Sequence, residues 1–202
     1  MFTGIIQAIG QISGKIAGDK GAEFAFTTGN LDLSSVKIGD SIAVNGACLT
    51  VIELGDDYFK ADVSAETLKL TTFDDLTLGD NVNLEKSLRL NQGIDGHLVS
   101  GHIDECGTVI DKVAEGKSVR FEISAPKSLV KYIVKKGSIT LNGVSLTVNN
   151  IVADVFAVNI VPHTLSATTI GQLQIGDALN LEVDIIARHL EKLLNNKNHN
   201  EK

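Results

Sequence analysis

The stretch SIAVNGACLTV at 41–51 decides the fold, because it returns as SITLNGVSLTV at 138–148. In each, one apolar run enters an Asn-Gly pair and another leaves it, at Asn45-Gly46 and at Asn142-Gly143. Asn-Gly between such runs is a strong hairpin signal, because both residues accept the positive φ that a tight two-residue turn demands. The same offset of 97 holds outward from these hairpins. ETLKLTTF at 66–73 falls on HTLSATTI at 163–170, and LTLGDNVNLE at 76–85 falls on LQIGDALNLE at 173–182. MFTGII at 1–6 falls on LVSGHI at 98–103. Of the 85 pairs from Met1/Leu98 to Glu85/Glu182, 26 are identical, roughly 31%, without a gap. Chance gives well under half of that, so the chain is an internal tandem repeat.

The period is too long for a solenoid unit and suits a small domain. Three regions follow: 1–97, 98–184, and a tail at 185–202, with SLRLNQGIDG at 87–96 joining the copies. Short β-branched and aromatic runs such as IIQAIGQI and EFAFTT, with turn signals every 8–12 residues, give about six strands per copy. The fold expected is all-β, two tandem six-stranded Greek-key-like barrels, since closure removes exposed edges. Short helical turns are expected near Glu66–Leu70 and His163–Ala167. The tail differs: in DIIARHLEKLLNN, Ile186, Leu190, Leu193 and Leu194 lie at i, i+4, i+7 and i+8, one apolar helix face. Either the chain's own barrels or a symmetry mate must cover that face. The polar run Asn195–Lys202 is expected to fray.

Composition narrows the function. The 202 residues carry a net charge of −7 and no basic face, which argues against nucleic acid as a partner. No window is apolar enough for a membrane span, and MFTGIIQAIG lacks the basic and apolar regions of a signal peptide. Cys48 and Cys106 form neither a disulfide framework nor a metal-ligand pattern, so a reducing cytoplasmic location and no metal are expected.

The copies share Gly4/Gly101, Asn45/Asn142, Gly46/Gly143, Thr50/Thr147, Thr67/Thr164 and Thr71-Thr72/Thr168-Thr169. Turn chemistry explains the glycines and asparagines. Two similar pockets, with hydroxyls and main chain reading a polar heterocycle, would explain the set as a whole. Several reactive residues do not repeat. His102 stands where the first copy has Ile5, Ser145 where it has Cys48, and His163 where it has Glu66. Likewise Phe2 aligns with Val99 and Thr3 with Ser100. Shared binding groups with unshared proton-transfer groups suit an enzyme that binds two similar molecules and uses them differently. His102 is either a satisfied strand residue or a proton carrier working near neutral pH. Cys48 is either a small core residue or a nucleophile. Cys106 reads as core, His97 as a marker of the linker, and His189 as a solvated residue on the polar side of the tail helix.

Taken together, MFTGII, VNGACLTV, GHLVSGHID, LNGVSLTV and the 97-residue duplication resemble the riboflavin synthases of the alpha-chain type, over essentially the whole chain. The resemblance implies a cofactor-independent transferase. It would convert two 6,7-dimethyl-8-ribityllumazines into riboflavin and 5-amino-6-ribitylaminouracil by passing a four-carbon unit. It also implies a homotrimer joined by the C-terminal helices, with the active site between the first barrel of one subunit and the second barrel of its neighbour. The first pocket would use Gly4, Ile5 and Ile6, then Cys48, Leu49 and Thr50, then the run Asp62, Val63, Ser64, Ala65, Glu66 and Thr67. The second would use Gly101, His102 and Ile103, then Ser145, Leu146 and Thr147, then Val161, Pro162, His163, Thr164, Leu165 and Ser166. Lys136 would reach a ligand of the adjacent subunit, while Phe2, Ser41, Cys48, His102, Ser145, Thr147 and Asp184 match positions tied to activity. A rival class, the lumazine-binding fluorescent antenna proteins, resembles the same family without catalysing anything. The presence of both pockets and of Ser100-Gly101-His102 favours the enzyme.

Overall fold

The computed structural model describes residues 1–199, with side chains through Leu194. The first barrel runs through β1 (Ala8–Gly18), β2 (Gly21–Thr27), β3 (Ser41–Val44), β4 (Ala47–Leu54), β5 (Tyr58–Ser64), the helical turn α1 (Ala65–Leu70) and β6 (Asn81–Lys86). The second runs through β7 (Glu105–Glu115), β8 (Ser118–Ser124), α2 (Lys127–Val130), β9 (Ser138–Leu141), β10 (Val144–Val152), β11 (Val155–Ile160), α3 (Pro162–Ala167) and β12 (Ala178–Val183). α4 (Ile185–His199) follows. Both barrels close antiparallel, in the orders β1-β2-β5-β4-β3-β6 and β7-β8-β11-β10-β9-β12. In each, the second strand skips a hairpin to pair with the fifth, a Greek-key connection.

The turns form as the Asn-Gly pairs require: φ is 43° and 84° at Asn45 and Gly46, and 45° and 79° at Asn142 and Gly143. The irregularities repeat as well. Bulges fall at Ile12/Gly14 and Val51/Glu53, and again 97 residues on, at Val109/Asp111 and Val148/Asn150. They increase local twist and help each short sheet close on itself. The cores differ in material. The first holds Phe24, Phe26, Phe59 and Phe73, with Phe24 and Phe73 edge to face at 5.4 Å. In the second, Phe121 and Phe156 remain, while Ile123 and Ile170 take the other two places.

The barrels meet across a pseudo-twofold seam built from the hairpin tips. The Asn83 side chain donates to the Asn142 carbonyl and that of Asn180 to the Asn45 carbonyl, each at 2.9 Å. Gly46 and Gly143 touch there, and a Cβ on either would come within 2.9 Å of the other's backbone. Cys106, read from sequence as core, instead sits half-buried in this seam. Its thiol donates to the Leu70 carbonyl at 3.6 Å, and burial pushes its pKa up to about 11.

The tail helix leaves its apolar face open. Ile186, Leu190, Leu193 and Leu194 are all more than half exposed. Its anchors are polar, Glu191 to Lys131 and Tyr132, and Arg188 to Asp104. The chain's own barrels therefore do not cover that face.

Candidate functional site

Two short segments cross the seam. Phe2 and Val99 form an isolated antiparallel bridge, N–H to carbonyl at 2.7 Å and 3.1 Å. Past the bridge each segment lies on the other barrel. The Gly4 carbonyl accepts from the Ser145 N–H of β10, and the Gly101 carbonyl accepts from the Cys48 N–H of β4, both at 2.8 Å. Ile6 packs against the second core and Ile103 against the first. Each segment then returns to its own barrel, Gln7 N–H to Leu84 and Asp104 N–H to Leu181. Gly4 and Gly101, at φ 77° and 79°, lie so close to the foreign strand that a Cβ would come within 2.7 Å of Ser145 or Cys48.

This crossing regroups the residues expected at each pocket. The first rim combines Cys48–Thr50 and Asp62–Thr67 with Gly101–Ile103, not with Gly4–Ile6. The second combines Ser145–Thr147 and Val161–Ser166 with Gly4–Ile6, not with Gly101–Ile103. The physical reason is the Phe2–Val99 bridge, which carries both segments past the pseudo-axis before they turn back.

The rims are exposed where a ligand would need them. Thr50, Asp62, Ser64, His102, Thr147, Pro162, His163 and Ser166 face solvent, whereas Leu49 and Val63 point into the core. α1 is capped by Ser64, whose Oγ accepts from the Thr67 N–H at 3.1 Å; α3 begins on Pro162 instead. Phe2 is fully buried with Ala43 and Val99 beside Cys48, so it shapes the first rim from beneath and offers no polar group. Ser41 sits opposite Thr50 in the β3–β4 pairing, and its carbonyl accepts from the Ser87 N–H. Asp184 stands between β12 and α4 and caps the helix, accepting from the Ile186 N–H at 2.9 Å. Lys136 lies away from these contacts, exposed at the turn into β9. Its φ of 69° occupies the left-handed region where the first copy has Gly39 at 92°.

Sequence reading missed the pair that holds the crossing segments. Glu85 accepts from Thr3 N–H at 2.7 Å, Thr3 Oγ1 at 2.8 Å and Gly4 N–H at 3.0 Å. Glu182 repeats the pattern with Ser100 N–H at 2.7 Å, Ser100 Oγ at 2.5 Å and Gly101 N–H at 3.0 Å. Burial pushes both carboxyls above the ordinary glutamate range, against the pull of these donors. The only signal was an identical acid at the same strand position in both copies. His97, read as a linker marker, also belongs here, its Nδ1 2.7 Å from Ser145 Oγ.

Known proteins resemble this chain over nearly its whole length. The lumazine binding domain family matches twice, at residues 3–87 and 100–184. Riboflavin synthase of Photobacterium phosphoreum is 45% identical over 194 residues, 96% of this chain and 89% of that protein. That of Mycobacterium tuberculosis (strain ATCC 25618 / H37Rv) is 40% identical over 198 residues, covering 96% and 98%. That of Bacillus subtilis (strain 168) is 38% identical over 200 residues, covering 99% and 93%. Among solved structures, LumP complexed with riboflavin aligns with a TM-score of 0.84 at 29% identity, covering 91% of this chain and all of that one. LumP complexed with 6,7-dimethyl-8-(1'-D-ribityl) lumazine aligns at 0.82 and 29%, covering 91% and 99%.

Proposed function

The chain belongs to the riboflavin synthase family and carries the lumazine binding domain twice, and from that premise we propose that it converts two 6,7-dimethyl-8-ribityllumazines into riboflavin and 5-amino-6-ribitylaminouracil. It is an enzyme of that family. The observation that carries the reading is the pair of rims, alike in backbone and unlike in reactive groups. One offers the Cys48 thiol beside the His102 segment; the other offers the Ser145 hydroxyl beside Ile5.

Each rim receives one lumazine, with main chain and hydroxyls of the two strands and helical turns reading its edge. His102 takes a proton from the acidic C7 methyl of one molecule while Cys48, Ser145 or water adds near C7 of the other. Bringing the rims of two subunits together makes a bimolecular reaction effectively intramolecular, a gain of ~7–11 kcal/mol for good alignment. The trimer that this requires is supported by the open face of α4. With Tyr132 and Val134 it lines an apolar groove of about 490 Å³, unsuited to water. Lys136 supports it too: a lysine held where glycine is easier implies a task for its side chain, here reaching the neighbour's ligand. Among the described residues no helix is long and apolar enough to cross a membrane. The cytoplasm is the proposed location, in keeping with two free cysteines.

The LumP structures keep a binding-only reading in play. Incubation of the purified protein with 6,7-dimethyl-8-ribityllumazine alone separates the two. Riboflavin and the pyrimidine in equal amounts, from two lumazines consumed, establish the synthase. Tight fluorescent binding without riboflavin makes the chain a chromophore carrier.

A further inference from the structure

His97 lies outside the repeat, at the end of the connecting segment, and turns back onto the second rim. Its main-chain N–H donates to the Thr3 carbonyl at 3.1 Å, and its ring Nδ1 lies 2.7 Å from Ser145 Oγ. Gly96 before it leaves no room for a side chain: a Cβ would meet the Thr3 carbonyl oxygen at 2.0 Å, Ser145 Cβ at 2.9 Å and Ser145 Oγ at 3.0 Å. The Ser145 N–H is meanwhile held by the Gly4 carbonyl. Ser145 is thus gripped through its backbone and its hydroxyl at once. The equivalent residue of the first rim, Cys48, keeps the backbone grip but sits among Phe2, Ala43 and Val99. The hydroxyl has an imidazole beside it; the thiol has an apolar wall.

We propose that His97 is a positioning residue of the second rim: it accepts the Ser145 hydroxyl proton at Nδ1, turns the oxygen lone pairs toward the ligand, and makes that hydroxyl competent only while the imidazole is neutral. The inference rests on the synthase reading. Burial lowers the His97 pKa and so favours the neutral ring, while the charge of Asp184 at the end of β12 works the other way. Glu85, which holds the Thr3 whose carbonyl accepts from His97, is itself committed to Thr3 and Gly4. Once protonated, His97 presents Nδ1–H as a donor. Ser145 must then accept it, which occupies one of its two lone pairs and releases its own O–H toward the ligand, reversing the polarity that it presents.

The test measures kcat and KM for 6,7-dimethyl-8-ribityllumazine from about pH 5 to pH 9. The set is the full-length protein, His97→Ala, His97→Asn, Ser145→Ala and the double variant Ser145→Ala/His97→Ala. His97→Ala should lower kcat about tenfold with KM within about twofold. Asn offers a carboxamide oxygen as acceptor and does not titrate, so His97→Asn should recover part of that loss and make the acid limb shallower, leaving the part that belongs to His102. In the Ser145→Ala background, His97→Ala should cost less than about twofold more. An acid limb as steep in His97→Asn as in the unaltered protein, or a His97→Ala loss that is the same with and without Ser145, overturns the proposal. If His97→Ala does not fold, nitrogen NMR of the imidazole in the intact protein decides: an unprotonated Nδ1 at pH 7 supports the proposal and a protonated one sinks it. A full-length protein that folds and turns over no lumazine defeats the synthase reading instead, and leaves the tautomer to be read on its own.

Discussion

The two barrels share their irregular features and differ in their reactive ones. Bulges, Asn-Gly turns, left-handed glycines and buried glutamates recur at the same offset. Cys48 against Ser145, Ile5 against His102 and Gly39 against Lys136 do not. The groups that close each barrel and cross the seam are the same in both copies, and so are hydroxyls such as Thr50 and Thr147 on the rims; the thiol, imidazole and ammonium groups are not. Equal scaffolds with unequal groups are what a reaction between two identical molecules with different fates calls for.

The seam offers the strongest way to break the symmetry. Gly46→Ala and Gly143→Ala each place a Cβ against the other's backbone at positive φ, and each should cost about 3–4 kcal/mol in denaturant titration. Because the two sites touch, the double variant should cost less than the sum. The glutamates give a sharper comparison. Glu85→Ala and Glu182→Ala each strand three donors, so each should lose about 3 kcal/mol of stability. Equal stability losses should come with unequal activity losses, Glu182→Ala being the slower enzyme because its segment carries His102. Equal kcat values for the two would show that the asymmetry of the crossing segments does not matter.

Smaller effects test the cores and the rim. Phe73→Ile gives the first barrel the second's residue and should cost about 1.5 kcal/mol, while Ile170→Phe overpacks the second by a similar amount. Lys136→Gly relieves a left-handed lysine and should gain about 1 kcal/mol in stability while lowering kcat. The gentlest probe is pH. The raised pKa values of Glu85 and Glu182 mean that the folded state holds their protons more tightly than the unfolded chain does. Their contribution is full below the usual glutamate value of 4.5 and is lost as pH rises through the raised values. Glu85→Gln/Glu182→Gln should therefore flatten the fall in Tm across that window.

The fold was legible because its signals are local. Asn-Gly turns, strand-length apolar runs and the 3.6-residue period of Ile186, Leu190, Leu193 and Leu194 are read within a few residues. The regrouping of the pockets was not. A repeat reveals which residues are equivalent, and equivalence is unchanged whether Gly4 rests on its own β4 or on β10 across the pseudo-axis. Glu182 was hidden for a related reason. Its partners Ser100 and Gly101 lie some eighty residues away, beyond any local pattern, and a lone acid in a strand looks like an outward-facing one. His97 escaped because it falls between the copies, where comparing them says nothing.

The crossing also sets an order of events during synthesis. Residues 1–6 emerge from the ribosome long before the strand that receives Gly4, which contains Ser145. The first barrel can close its six strands early, because their pairings lie within the first 86 residues. Its mouth stays unfinished until Gly101 arrives, and the opening segment has nothing to dock on until the second barrel stands. Contacts of such long span form late and slowly. A half-made chain therefore has walls but neither mouth, and competence to hold a ligand appears at both ends of the molecule in the same late step.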